Sequence, residues 1–305
     1  MPGIINTGTL PKALWPGINA WWGAYYKEHP EECRDLFEFN SSNQNYEEDV
    51  QNTGFGLAPV KTEGGGIQYD DVTQGIVSRY TNIVYGLGFI VTREEIEDNL
   101  YMKVAKSRTK SLAFSIRQTK ENVGANVYNR AFNTNFTMDP GDGQPLISTA
   151  HTSRAGAWSN QLNPNADFSE AALEDLTIQI MGATDDRGLK ISLMAQSLHI
   201  PRQLYYEAIR VLESVLQNDT ANNATNAVRN SPMVPGGAIV NHYFTDTDAW
   251  FLRTNCPDGM KAFQRRETQF TEDNDFDTEN AKYKATERYV FGWTDPRGIY
   301  GTAGS

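Results

Sequence analysis

Between Thr92 and Asn133, apolar residues return at steps of four, seven and eight: Ile96, Leu100, Val104, Leu112, Ile116, Val123 and Val127. That spacing draws a stripe along one side of an α-helix and predicts a rod with one buried flank. Its start is marked by Thr92-Arg93-Glu94-Glu95, a capping box whose hydroxyl serves the free amides of the first turn. No proline falls between Thr92 and Asn133, so the rod would run to about 60 Å at roughly 1.5 Å per residue. A compact chain of this length is only about 50 Å across. The rod is therefore expected to be the spine of a flat or elongated molecule.

The patterning on either side is different. Residues 40 to 91 are polar and punctuated by glycine, including the triplet Gly64-Gly65-Gly66. Within them, Ile67-Gln68-Tyr69 alternates and Ile76 to Tyr85 is rich in β-branched and aromatic residues. A two-stranded ribbon that reaches outward is expected there. After the spine, Asp139-Pro140-Gly141-Asp142-Gly143 makes a turn cluster that closes the first unit. Asp167-Phe168-Ser169 offers a cap for a helix to about Ile180, stopped at Gly182. Leu189 to Ile200 alternates like a strand, and Pro201 opens a second helix to Leu216 with Leu204, Ala208, Leu212 and Val215 on one face. Residues 217 to 237 read as a polar, mobile loop. At the carboxyl end, Tyr283, Ala285, Tyr289 and Phe291 alternate with Lys282, Lys284, Thr286 and Arg288, a period of two that predicts a strand paired with Phe263 to Phe270.

Charge adds an asymmetry to this picture. The 305-residue chain carries a net −11, which argues against binding nucleic acid by neutralising phosphates. Yet Thr92 to Asn133 holds eight basic residues against five acidic ones. Lys103, Lys106, Lys110, Arg117 and Lys120 fall on one side of the predicted rod. They read either as a solvated face or as a contact surface for an acidic neighbour, such as another copy of the chain. Likewise Trp15, Trp21, Trp22, Tyr25 and Tyr26, ahead of any core element, suit either the chain's own core or a neighbouring subunit.

Candidate chemistry is thin. Two separated cysteines, Cys33 and Cys256, belong to no metal or disulfide motif, and His29 with Cys33 lacks further ligands in reach. No phosphate loop, nucleophile elbow, dinucleotide fingerprint or zinc-protease motif occurs. His151 lies among Ser148, Thr149, Thr152, Ser153 and Asp142, which suits a structural histidine in a polar turn and admits a hydrolase base. Glu272 to Glu279 alternates carboxylates, but Thr278 replaces the glycine and Lys284 the glutamate that a calcium loop needs, so a solvated hairpin tip is the reading. No apolar run is long enough to cross a bilayer and no secretion signal precedes the arm.

Taken in order, the aromatic arm, the glycine-rich ribbon, Gly86-Leu-Gly-Phe-Ile-Val-Thr-Arg-Glu-Glu-Ile-Glu-Asp-Asn, Asp142-Gly-Gln-Pro-Leu-Ile-Ser-Thr-Ala-His151, Ser197-Leu-His-Ile-Pro-Arg-Gln-Leu-Tyr-Tyr-Glu-Ala and Val290-Phe-Gly-Trp-Thr-Asp-Pro-Arg297 resemble the major capsid proteins of tailed bacteriophages, especially Mu-like head subunits. The resemblance implies an α+β, Hong Kong 97-type fold: an N-terminal arm (1–39), an extension loop (40–91), a peripheral domain with the spine (92–145), an axial domain (146–259) and C-terminal strands returning to the peripheral domain (260–305). It implies a virion protein assembled in the bacterial cytoplasm, forming hexamers and pentamers around double-stranded DNA held without sequence specificity. It brings in a portal and a separate scaffolding protein, since the arm leaves no room for a fused scaffold, and needs no enzyme activity, cofactor or membrane. Some relatives crosslink a loop lysine. Lys61 sits in the corresponding loop, but no asparagine partner is identifiable, so a noncovalent shell is expected. Candidate contacts between subunits are Trp21, Trp22, Lys61, Lys103, Lys106, Lys110, Arg117, Asp273, Asp275 and Asp277. A nanocompartment shell, a tail-tube protein and a hydrolase using His151 are the alternatives.

Overall fold

The computed structural model describes residues 21–97, 101–217, 224–231, 233–275 and 280–305. Trp15, Leu100 and Asp277 lie outside the described residues, as do the side chains of Ile96, Lys103 and Val104. In chain order come helices α1 (21–28) and α2 (Cys33–Leu36), then strands β1 (Glu38–Ser41), β2 (Tyr46–Asn52), β3 (Gln74–Thr81) and β4 (Ile83–Val91). Helices α3 (Arg93–Glu97) and α4 (Tyr101–Asn129) follow, then β5 (Asp139–Pro140), β6 (His151–Ser153), β7 (Gly156–Trp158) and α5 (Glu170–Met181). The remainder is β8 (Ala195–Pro201), α6 (Tyr205–Glu213), α7 (Ala227–Asn230), β9 (Ala238–Asn241), β10 (Trp250–Thr254), β11 (Met260–Asn274), β12 (Ala281–Trp293) and β13 (Ile299–Thr302).

The main sheet has the order β1-β11-β12-β4, with β1 parallel to β11 and the other pairs antiparallel. Its long hairpin, β11–β12, extends the strands expected from the period-two pattern at both ends. Every second residue of β12 from Ala281 to Trp293 is buried, as that alternation requires. One member of the buried series is Glu287, a carboxylate among aromatic rings. A second four-stranded sheet, β13-β10-β8-β9, carries α5 and α6 over a core that includes Leu173, Leu176, Leu198, Ile200 and Trp250. The turns that lead into β11 and β13 touch: a Cβ on Gly298 would stand 2.6 Å from the Cα of Gly259.

Thr92 caps α3 as expected, its hydroxyl accepting the Glu95 amide at 3.3 Å. The Glu95 carboxylate does not return to the cap. It forms a two-pronged pair with Arg108, at 2.8 and 2.9 Å, which ties α3 to α4. The spine stops short of the Asn133 end of the expected rod. Helix α4 runs to Asn129, and beyond it the Ala131 and Asn133 amides bond back three residues, to Tyr128 and Arg130. That tighter winding ends the rod without proline or glycine. Its N-terminal half buries Leu112, Ala113 and Ile116 against Val91, Tyr283 and Ala285, and its C-terminal half buries Val127 and Tyr128 against Phe37, Phe251 and Phe291.

Several local expectations are corrected. The ribbon pairs β3 with β2, not with Ile67-Gln68-Tyr69, and β4 leaves the loop to become an outer strand of the main sheet. Strand β8 begins only at Ala195, because Leu189 and Lys190 turn back on Asp185 and Thr184 instead. The helix after Pro201 ends at Glu213, following a 3₁₀ turn at Arg202–Leu204, and Val215 is exposed. Within 217 to 237, α7 is capped by Asn226 and rests Val228 on the second core, where Val234, beyond the helix, also packs. Strand β13 pairs with β10 in the second sheet and does not return to the first. By contrast, Ser169 caps α5 and Gly182 ends it, both as read from sequence.

His199, on β8, is fully buried, with Ser197 Oγ 2.8 Å from Nε2. Burial, and secondarily the charge of Arg253, lowers its pKa from 6.5 to about 3. The unfolded chain therefore takes up a proton below pH 6.5 that the folded chain refuses until about pH 3. Stability is expected to fall through that window as pH drops, by about 2 kcal/mol at pH 5. Urea unfolding at pH 7 and pH 5 should show this loss, and His199→Gln should remove most of it. An unchanged pH dependence in the variant would contradict the assignment.

Candidate assembly surfaces

Helix α1 lies along the basic side of the spine. Trp22 is buried, stacked on Phe270 at 5.0 Å, with Phe270 stacked in turn on Tyr283 and Tyr283 on Phe89. Lys106 Nζ sits 5.8 Å from the centre of the Trp21 ring, and Lys110 Nζ 5.3 Å from that of Tyr25 and 3.4 Å from Glu28. Arg117 is buried, with its guanidinium over the Tyr26 ring at 4.0 Å and paired with Glu31. Lys120 is buried beside Gln264 and Glu287. The aromatic cluster and the basic stripe are thus used largely on each other, within the chain. Trp22 and Arg117 are inaccessible to a neighbour, against the sequence expectation, whereas Lys106 and Lys110 keep their ammonium groups at the surface. The signal was present in the chain: Glu28, Glu31 and Glu32 follow the aromatics and complement the stripe.

Cys33 and His29 do not converge on a ligand. Cys33 donates its amide to Glu121 Oε2 at 2.8 Å and its thiol to Oε1 at 3.4 Å. Burial, then the charge of Glu121, pushes the thiol well above its ordinary range, so it stays protonated and unreactive. His29 packs edge-on against Phe114.

The extension loop is anchored where its chain leaves and where it returns, and is bare in between. At the root, Lys261 Nζ holds Asp49 at 2.6 Å and Asp258 at 2.7 Å, Thr294 Oγ1 adds a bond to Asp49 at 2.9 Å, and Gln51 donates to Asp295 at 2.9 Å. On the returning side, Arg187, from the connection between α5 and β8, grips Asp70 Oδ2 at 2.8 Å and the Asp71 carbonyl. Between these anchors Leu57 is 82% exposed, Val60 94% and Tyr69 92%, with Phe55 and Ile67 also exposed. Lys61 is exposed among them. The overall polarity of the loop hides the run Phe55-Gly-Leu-Ala-Pro-Val60, an apolar stretch between β2 and β3. Isolated exposed apolar residues are ordinary, but a contiguous set marks an interaction surface.

The acidic hairpin tip is partly described. Asp273 lies opposite Lys282, and Asp275 Oδ2 is 2.5 Å from Lys282 Nζ. Asp277 lies outside the described residues. Among the described residues, no group of three or more His, Cys, Asp or Glu side chains could hold a metal ion.

His151 is fully buried, which removes it from any substrate. Its Nδ1 is 2.5 Å from Asp142 Oδ2, its Nε2 3.1 Å from Asn160 Oδ1, and its ring stacks on Trp158 at 4.7 Å. Asn160 in turn donates to the carbonyls of Leu146, Pro296 and Ile299. On the other face of Trp158 chemistry is equally structural: Arg297, 4.4 Å from the ring centre, binds Asp186 at 3.0 Å and the Thr184 carbonyl at 2.8 Å. This polar core joins the end of the ribbon sheet, the β6–β7 hairpin and the turn before β13. Catalysis would need an open cleft, and the histidine is sealed from one.

Comparison with known proteins agrees with a shell component. No curated protein matches the sequence. The solved structures it resembles include Mycobacterium phage Patience (TM-score 0.54, 13% identity, 95% of this chain and 86% of that one). The procapsid of bacteriophage JBD30 gives a TM-score of 0.52 at 13% identity, over 97% of this chain and 76% of that one. A virus-like particle from Pyrococcus furiosus gives 0.52 at 11% identity, over 93% and 97%. At such identities the likeness speaks for the fold, the Hong Kong 97-type capsid architecture expected from the motifs. Among the described residues no helix is long and apolar enough to cross a membrane. The model of a family described as phage capsid protein matches residues 77–302, from the ribbon to the last strand, and by that match the chain belongs to the phage capsid protein family.

Proposed function

We propose that copies of this chain close, as hexamers and pentamers, into the icosahedral head shell of a tailed phage, around double-stranded DNA and within the host cytoplasm. As a capsid protein it is structural and virion-borne. The observation that carries the reading is the extension loop, fixed at both ends by ion pairs while Leu57, Val60 and Tyr69 stand in solvent. A subunit that holds apolar side chains out on a braced arm is incomplete until another copy covers them. Each contact can be weak, because a subunit held through several surfaces gains from effective concentration. The net −11 charge would keep packaged DNA from adhering to the wall. A portal at one vertex and a scaffolding protein are the partners this reading brings with it. Negative-stain images of concentrated, purified protein should show closed shells, and particles from infected cells should contain nuclease-protected DNA. Shells with enclosed enzyme and no DNA would favour a nanocompartment, and rods would favour a tail tube.

A further inference from the structure

Strand β4 is the outer strand of the main sheet, and its sequence, Ile83-Val-Tyr-Gly-Leu-Gly-Phe-Ile-Val91, contains neither a charge nor a proline. Protein sheets normally protect such an edge with a charge, a proline or brevity. The opposite edge does so here: β1 has four residues and begins with Glu38. Along β4, Ile83, Val84, Leu87 and Ile90 are about half exposed. Among the described residues, its side away from β12 receives one hydrogen bond, from Arg108 to the Ile90 carbonyl at 2.9 Å.

The loop presents the converse. Ile67-Gln68-Tyr69 has the alternation of a strand, yet its residues belong to no sheet, and the backbone of residues 66–69 makes no hydrogen bond among the described residues. Ile67 and Tyr69 are exposed, while the next residue, Asp70, is fixed by Arg187. The charges match as well: Lys284 stands across from β4 on the exposed face, opposite Gly88, and the loop segment runs into the exposed Asp71.

We infer that residues 66–72 of one copy add as a strand to the free edge of β4 in a second copy. The inference rests on the self-assembly reading and names the two surfaces that meet. Main-chain bonds along an edge supply affinity with little demand on side chains, and Ile67 and Tyr69 set the register against the half-exposed β4 residues.

The test uses full-length chains in a Cys256→Ser background, Cys33 being buried. One chain carries Tyr69→Cys, and the other carries Val84→Cys, Leu87→Cys or Ile90→Cys. Mixed, assembled and gently oxidised, one of the three pairings should give a disulfide-linked dimer on a non-reducing gel, and neither chain alone should. Separately, Gln68→Pro removes a donor from an exposed segment, and should lower particle yield at least tenfold while the unassembled subunit keeps its unfolding midpoint. Particles that form normally with Gln68→Pro and without crosslinks would overturn the pairing and leave self-assembly standing. Absence of particles from the unmodified chain at any concentration would instead remove the self-assembly reading, and the pairing with it.

Discussion

Replacing Leu57 and Val60 together by Asp is expected to abolish shell formation while leaving the subunit folded. Both side chains are almost entirely in solvent in the single chain, at 82% and 94% exposure, so their loss removes no intramolecular packing and should change stability by less than about 0.5 kcal/mol. In an assembled shell each would lose its apolar area to a neighbour, a gain of about 1.5–3 kcal/mol per side chain. Without both, each loop contact weakens by a factor of about 10² to 10⁴, and a buried carboxylate adds a further desolvation cost. In the proposed shell every subunit would both offer a loop and receive one, so the deficit would recur around it. Sedimentation should show the variant as a slow species at concentrations where the unmodified chain forms particles, with an unchanged urea midpoint. Particles of normal yield would mean that the loop's apolar residues stay in solvent after assembly.

The long elements were legible because their signals are local. A capping serine, a terminating glycine and an uninterrupted apolar stripe each act within a few residues, which is why α5 and most of α4 fall where the sequence puts them. Period-two burial likewise identified β12. What the chain did not disclose was pairing over distance. Ile67-Gln68-Tyr69 has the composition of a strand, but its neighbour in space is decided by the Lys261–Asp49 root and the Arg187–Asp70 clip, contacts that span 212 and 117 residues. The same holds for the basic stripe. Helical projection placed Lys106, Lys110, Arg117 and Lys120 on one side correctly, yet only the fold shows that α1 and the turn after it supply rings and carboxylates to Lys106, Lys110 and Arg117, while Lys120 turns to Gln264 and Glu287. For the surfaces offered as inter-subunit contacts, exposure was the missing quantity: Trp22 and Arg117 are buried within the chain, whereas Phe55, Leu57, Val60 and Tyr69 stand exposed. Ion pairs and aromatic faces attract the same partners whether those lie in the same chain or the next, so sequence alone could not divide them.

The buried pair beneath α1 should show the second large effect. Lys120 and Glu287 side chains are 2% and 1% exposed, and their charged groups lie 3.7 Å apart. Lys120 also donates to Gln264 Oε1 at 3.2 Å and faces the rings of Phe39 and Tyr289. Glu287 Oε1 accepts the Tyr26 hydroxyl at 2.8 Å, so the pair is also the hook on which α1 hangs. Lys120→Met fills similar volume but leaves a carboxylate buried without its cation, and is expected to cost about 3–5 kcal/mol. Pairing it with Glu287→Leu removes the stranded charge as well. The double variant should recover most of that loss, short of the roughly 1 kcal/mol belonging to the Tyr26 hydrogen bond. Urea unfolding of the unassembled subunit measures both. Limited proteolysis adds a distinct readout, since the double variant should regain stability while residues 21–31 become easier to cleave, α1 having lost its hook. If Lys120→Met alone costs less than about 1 kcal/mol, water reaches the pair and the hook is not a buried one.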